Sequence, residues 1–178
     1  MIIVITGTPG TGKTNISKRV ARELDFDYVS INKVVDEFDL VLEKDKERKT
    51  KVVDTDRLKE KVNEMQLNNA VVDGHLGYFI DCDFCIVLRC RPDELKKRLE
   101  SKDWDEKKIN ENLQAEILGS ITIQALEKQG WDDVYEIDTT GKEKEEVVNN
   151  IKLLLEDKEE FEPGGIDWLE EYKEWLDE

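Results

Sequence analysis

Residues 1–6, MIIVIT, form an apolar run ending at a glycine, and the next apolar positions, Ile16, Val20 and Leu24, fall four apart. A short unbroken run predicts a buried strand, and the four-residue spacing predicts one face of a helix over 13–24. The alternation continues along the chain. DYVSI (27–31), AVVD (70–73), DFCIVLR (83–89) and DVYEID (133–138) read as further strands. Between them lie a short helical piece after residue 31 and a helix over 54–65 behind the N-cap candidates Asp54 and Asp56. A helix over 92–101 is opened by Pro92 and two acids, and another is expected over 142–156. Ile109, Leu113, Ile117, Ile121 and Ala125 share one face, which predicts a single long helix over 106–128. The stretch EKDKERKTK (43–51) has no core pattern and is expected to be charged and mobile.

Strands alternating with helices predict right-handed crossovers and a parallel sheet with both faces covered. The expected fold class is α/β, a three-layer α/β/α arrangement around a five-stranded parallel sheet. The 178 residues are enough for one such domain with a full core. The expected organisation is one domain over 1–156 and an acidic tail over 157–178. After EPGG (162–165), Trp168, Tyr172, Trp175 and Leu176 fall at i, i+4, i+7 and i+8. That spacing predicts an amphipathic helix on a Gly-Gly hinge. Its aromatic face either packs on its own domain or receives a partner.

Charge sharpens this picture at one end. The formal net charge is −16, and residues 156–178 hold eleven acids against two lysines. Such a tail is either a solubilising surface or a docking segment for a basic partner. No run of eighteen apolar residues is present, so no membrane span is expected. A chain that starts directly on a strand is also expected to carry no secretory leader and to be cytoplasmic. Cys82 and Cys85 form a C-x-x-C, but with one histidine in the chain a closed zinc site lacks ligands. These two and Cys90 are expected to be buried or half-buried thiols.

Residues 7–14, GTPGTGKT, match G-x-x-x-x-G-K-[ST] at Gly7, Gly12, Lys13 and Thr14. The match follows a strand and opens a helix, the context in which such a segment is a phosphate loop. Glycines let successive N–H groups point inward, and the helix N-terminus adds positive partial charge. Lys13 would reach the β- and γ-phosphates, the Thr14 hydroxyl would bind Mg²⁺, and Gly10, Thr11, Gly12 and Asn15 would complete the cradle. The pattern thus calls for ATP or GTP with Mg²⁺. No base-reading N-K-x-D is present, which disfavours a GTPase.

Beyond the loop, YVSI (28–31), VVDTDR (52–57), VVDGH (71–75), VLR (87–89) and RLESKDWDEKKINENLQAEI (98–117) follow in order. With GTPGTGKT they resemble the adenylate kinase isoenzyme 6 family, and among its members the archaeal kind. These are short-lid phosphate-loop kinases, built like nucleoside monophosphate kinases, that are linked to small ribosomal subunit maturation. The resemblance implies that Gly10 to Asn15 bind ATP and Mg²⁺, that 30–53 receives the acceptor monophosphate, and that 101–111 is the lid. It assigns Asp73 to the metal with Thr14. It places His75 near the γ-phosphate and its attacking group, as a residue able to orient or deprotonate a water.

Three departures stand out. The usual lid Arg-Gly-Tyr is replaced by Lys102, Asp103 and Trp104, so Lys102 is expected to supply the charge, assisted by Arg98, Lys107 and Lys108. Arginine clamps phosphates bidentately and lysine does not. The segment NKVVDEF lacks the family arginine, and Asp36 stands near its place, so an acceptor phosphate must find Lys33, Arg48, Arg57 or Arg89. Finally, the tail extends past the usual last helix. Beside the base, the turn Thr139-Thr140-Gly141 is either an adenine contact or an ordinary turn.

Two functions follow from the resemblance. One is phosphoryl transfer from ATP to AMP, or to another nucleoside monophosphate, with Lys13, Asp73, His75 and Lys102 as catalytic residues. The other is an ATP-hydrolysing assembly switch that acts on a basic small-subunit ribosomal protein or a pre-ribosomal particle. A cytidylate-type kinase is a weaker third, against which the D-G-H segment and the lid pattern argue.

Overall fold

A computed structural model describes residues 1–45, 50–102 and 104–176. The main sheet has five parallel strands in the order β2-β5-β1-β6-β7: β1 (Ile2–Gly7), β2 (Asp27–Ser30), β5 (Ala70–Asp73), β6 (Phe84–Arg89) and β7 (Val134–Asp138). Alternate residues of each strand face opposite layers. Ile3, Ile5, Val71, Ile86 and Leu88 meet α1 (Lys13–Leu24) and α7 (Lys144–Glu156). Val4, Val72, Cys85 and Val87 meet α2 (Ile31–Glu37), α3 (Thr55–Glu64) and α6 (Ser120–Gln129). The result is the expected three-layer α/β/α architecture.

The two ends of the stretch expected to be charged and mobile lie in paired strands, and residues 46–49 fall outside the described residues. β3 (Val41–Asp45) pairs antiparallel with β4 (Thr50–Val53), apart from the main sheet. Arg48 lies outside the described residues. The segment 30–53 therefore includes α2 and these two strands. Asp54 caps α3 by accepting from the Arg57 amide at 3.0 Å.

The expected long helix over 106–128 is two helices. α5 (Glu106–Ile117) stops at Leu118, and α6 restarts after Gly119, whose φ of 61° is left-handed. A glycine holds that conformation at little cost, and it turns the chain between two segments whose apolar spacing runs on across the break. α4 (Pro92–Glu100) precedes the stretch 101–111 expected to be a lid, of which residues 106–111 are the first turns of α5.

The tail does not form the expected continuous helix. α8 (Leu169–Tyr172) is four residues long and passes into a 3-10 turn over Lys173–Leu176. Tyr172 is buried, and Trp175 packs on the cluster of Cys90, Leu95, Leu99, Ile109 and Leu113. The Gln114 side chain donates to the Leu176 carbonyl at 3.2 Å. The aromatic face is therefore turned onto α4 and α5 of its own domain.

Candidate functional site

The site lies at the C-terminal ends of β1 and β5, next to the N-terminus of α1. Gly7 ends β1 at φ 134°, and a Cβ there would sit 2.3 Å from the Leu88 carbonyl oxygen on β6, so no side chain fits. Gly12 enters α1 at φ 97°, again a glycine conformation. The loop between them is held mainly by one residue. The Thr8 carbonyl accepts from the Thr11 hydroxyl at 2.9 Å and from the Lys13 ammonium at 3.0 Å. α1 begins at Lys13, and the first amides of the helix to bond one turn back are those of Asn15 and Ile16, to the Gly12 carbonyl at 3.1 and 3.2 Å. Gly10, Thr11, Gly12, Lys13, Thr14 and Asn15 thus stand together, as the motif requires.

Lys13 is half-buried, and its pKa is lowered to about 8. Burial is the main cause; the Asp73 and Glu116 carboxylates act against it, and the Lys102 ammonium adds to it. The field of Lys102, two residues past the end of α4, thus reaches the loop. Lys102 and Lys108 lie 5.1 and 4.4 Å from the centre of the Trp104 ring, so the aromatic holds both ammonium groups. Asp103 lies outside the described residues.

Asp73 ends β5 and is buried. Its Oδ2 accepts from the Thr14 hydroxyl at 2.7 Å and from the Tyr28 hydroxyl at 2.8 Å. Its Oδ1 is buried with no hydrogen-bond partner. A buried carboxylate oxygen without a partner is costly, and a hydrated cation is the natural occupant beside it. Among the described residues no group of three or more His, Cys, Asp or Glu side chains could hold a metal. Mg²⁺ is commonly held by one or two protein oxygens, substrate phosphates and water. Thr14 and Asp73 are the residues that would hold it. Tyr28 joins the site unannounced: in the sequence it is a strand residue within YVSI, a segment that carries the resemblance but assigns it no role.

His75 follows Asp73 by two residues, and its carbonyl accepts from the Thr6 hydroxyl at 3.0 Å. Although the residue is exposed, the protein around the ring and the Lys13 ammonium push its pKa down to about 4. It is therefore neutral at pH 7, with a lone pair to offer.

A cleft of about 280 Å³ opens beside the loop, lined by Gly10, Thr11, Ile16, Arg98, Thr139 and Lys142 among others. Arg98 donates to the Thr139 carbonyl at 3.2 Å, which fixes the guanidinium at the cleft wall. The Thr139 turn thus adjoins the phosphate loop.

Arg89 is not available to an acceptor. It is 3% exposed, its Nε donates to Glu116 Oε1 at 2.8 Å, and its Nη1 donates to Glu136. Burial opposes its charge, but the two carboxylates outweigh that and raise its pKa. Asp36 pairs with Lys51 at 2.6 Å, while Lys33 and Arg57 remain exposed. The cysteines are free thiols, Cys85 and Cys90 buried and Cys82 half-buried.

The model of the AAA domain family matches residues 3–119. A protein of Methanococcus maripaludis named "Putative adenylate kinase" is 38% identical over 177 residues, covering 97% of each chain. One of the same name from Thermococcus kodakarensis is 40% identical over 181 residues, covering 99% of this chain and 97% of that protein. The chain belongs to this archaeal family. Its members align with it over nearly their full length. Among solved structures, shikimate kinase from Aquifex aeolicus aligns with a TM-score of 0.57 at 17% identity, over 93% of this chain and 100% of that one. Shikimate kinase from Bacteroides thetaiotaomicron aligns with a TM-score of 0.55 at 21% identity, over 88% and 98%. These likenesses establish the phosphate-loop kinase fold. No helix among the described residues is long and apolar enough to cross a membrane.

Proposed function

We propose that the chain is a Mg²⁺-dependent phosphotransferase of adenylate kinase type, converting ATP and AMP to two ADP, and that it also hydrolyses ATP. The observation that carries this reading is the orphaned Asp73 Oδ1 beside the Thr14 hydroxyl and within the field of Lys13. The names of the archaeal relatives support the nucleotide kinase class.

The amides at the start of α1, with Gly10 to Asn15, would cradle the ATP phosphates. Lys13, charged at neutral pH, would stabilise the oxygens of the γ-phosphoryl as its bond to the β-phosphate oxygen breaks and a bond to the acceptor oxygen forms. Magnesium, when bound, neutralises charge on the β- and γ-phosphates. Lys102 would add its charge from the lid, and closing the lid would exclude water. His75, uncharged, would orient the attacking oxygen through its lone pair. The cleft beside Arg98 and Thr139 would take the adenine. Incubating the protein with Mg·ATP alone, then with each nucleoside monophosphate, tests the reading. ADP produced fastest with AMP supports it. No acceleration by any monophosphate removes the kinase assignment.

A second reading is favoured by the burial of Arg89 and the exposure of His75. With Arg89 committed to two carboxylates, the described acceptor segment has few fixed cations. Water would then compete with AMP as acceptor, as in an ATP-driven assembly switch. The resemblance to the isoenzyme 6 family points that switch at a basic small-subunit ribosomal protein or a pre-ribosomal particle, and the charge of −16 suits such a partner. Hydrolysis independent of AMP, altered by adding the basic protein, is its signature.

A further inference from the structure

We propose that Glu116 is a positioning residue for Lys13, acting through Thr8, with the buried Arg89–Glu136 pair as its buttress. The inference rests on the reading of the loop as a nucleotide site and adds a residue outside it. Glu116 closes the segment KINENLQAE on α5 and is 1% exposed. Both carboxylate oxygens and its carbonyl are engaged. Oε2 accepts from the Thr8 hydroxyl, Oε1 from Arg89 Nε at 2.8 Å and from the Cys90 amide at 3.0 Å, and the carbonyl from Arg89 Nη2 at 2.9 Å.

Thr8 is therefore gripped on one side and grips on the other. Its hydroxyl is held by a buried carboxylate, while its carbonyl holds the Lys13 ammonium and the Thr11 hydroxyl. A carbonyl can aim two donors only if its own residue does not turn, and the bond to Glu116 supplies that restraint. Arg89 carries the hold further. Its Nη1 donates to Glu136, which also accepts from the Thr122 hydroxyl at 2.6 Å and the Gly164 amide at 2.8 Å. The anchor of the loop thus connects β6, β7, α5, α6 and the start of the tail. Buried ion pairs of this kind contribute little net stability compared with apolar packing, so a fixed orientation is what they offer. The helix that carries this anchor at its C-terminal end begins within the stretch proposed as the lid, so α5 runs from that stretch to the residue that holds Thr8.

The test uses the full chain with Thr8→Val, which removes the hydroxyl, Thr8→Ser, which restores it, and Glu116→Gln. Amide hydrogen exchange over residues 8–14 is measured without nucleotide, and kcat and KM for Mg·ATP are measured beside it. Loss of a hydrogen bond to a charged group predicts exchange faster, and kcat lower, by roughly tenfold in Thr8→Val, with KM changed less than about threefold. Thr8→Ser should restore both. Wild-type exchange and kcat in Thr8→Val, or failure of Thr8→Ser to restore them, would overturn the proposal. Should Thr8→Val not fold, unaltered loop exchange in Glu116→Gln would overturn it equally. The exchange comparison needs no ligand, so a wild-type chain that fails to bind Mg·ATP refutes the nucleotide reading separately.

Discussion

Thr14, in the first turn of α1, donates its hydroxyl to Asp73 Oδ2 at the end of β5, 2.7 Å away, while the other oxygen of that carboxylate is buried without a partner. The two side chains come from segments 59 residues apart in sequence. They meet because β5 lies beside β1 in the sheet, with Asp73 in register with Ile5, two residues before β1 ends at Gly7. A half-satisfied carboxylate next to a phosphate loop is poised for a cation.

Asp73→Asn should therefore raise the magnesium concentration needed for half-maximal turnover and lower kcat/KM by roughly 10- to 100-fold, the scale of a lost interaction with a charged group. A magnesium titration at fixed ATP reads this directly. An unchanged magnesium response would separate Asp73 from the metal.

Arg89→Ala should destabilise the fold by about 3–5 kcal/mol, since it leaves Glu116 and Glu136 buried without their cation. Urea denaturation measures this. A stable Arg89→Ala chain with only a raised KM for AMP would return Arg89 to the acceptor site.

His75→Ala should lower ATP hydrolysis by about 10²-fold while leaving nucleotide affinity within a few-fold, because the ring is assigned to the attacking group rather than to the phosphate cradle. Steady-state turnover and equilibrium binding, measured on the same preparation, separate the two effects. Equal turnover in variant and wild type would remove His75 from the chemistry.

The pH profile follows from two depressed pKa values. In the proposed mechanism Lys13 acts as a cation; it is charged below about pH 8 and loses its proton above it, so kcat/KM for Mg·ATP should fall as pH rises past 8. His75 would act uncharged, orienting the attacking oxygen; with a pKa near 4 it stays neutral down to pH 5, so no histidine limb should appear near pH 6.5. A limb near 6.5 that disappears in His75→Ala would contradict the depressed value.

The phosphate loop was legible from spacing alone: the strand and helix around GTPGTGKT appear where the pattern puts them. Asp73 and His75 came from the resemblance, and the structure sets Asp73 against Thr14 and leaves their roles to the tests above. Three things were not legible, each because local sequence underdetermines a tertiary choice. The β3–β4 hairpin is built from residues whose charge hides their pairing, with Val41 opposite Val53 as its apolar contact. The break at Gly119 was masked by apolar spacing that continues through it, although glycine itself was the available signal. The fate of Arg89 depended on Glu116 and Glu136, 27 and 47 residues away, and no local pattern announces a buried triad. Tyr28 joined the site for the same reason, through a strand pairing.

The central claim is that the loop, with Lys13 at its tip, grips a metal-bound triphosphate. Calorimetric titration of Mg·ATP into the wild-type chain and into Lys13→Ala tests it most directly. Saturable one-to-one binding by the wild type, weakened at least roughly tenfold in the variant as expected for loss of a charged contact, is the predicted result. Absence of binding by the wild type, or equal affinity in the two chains, would contradict it.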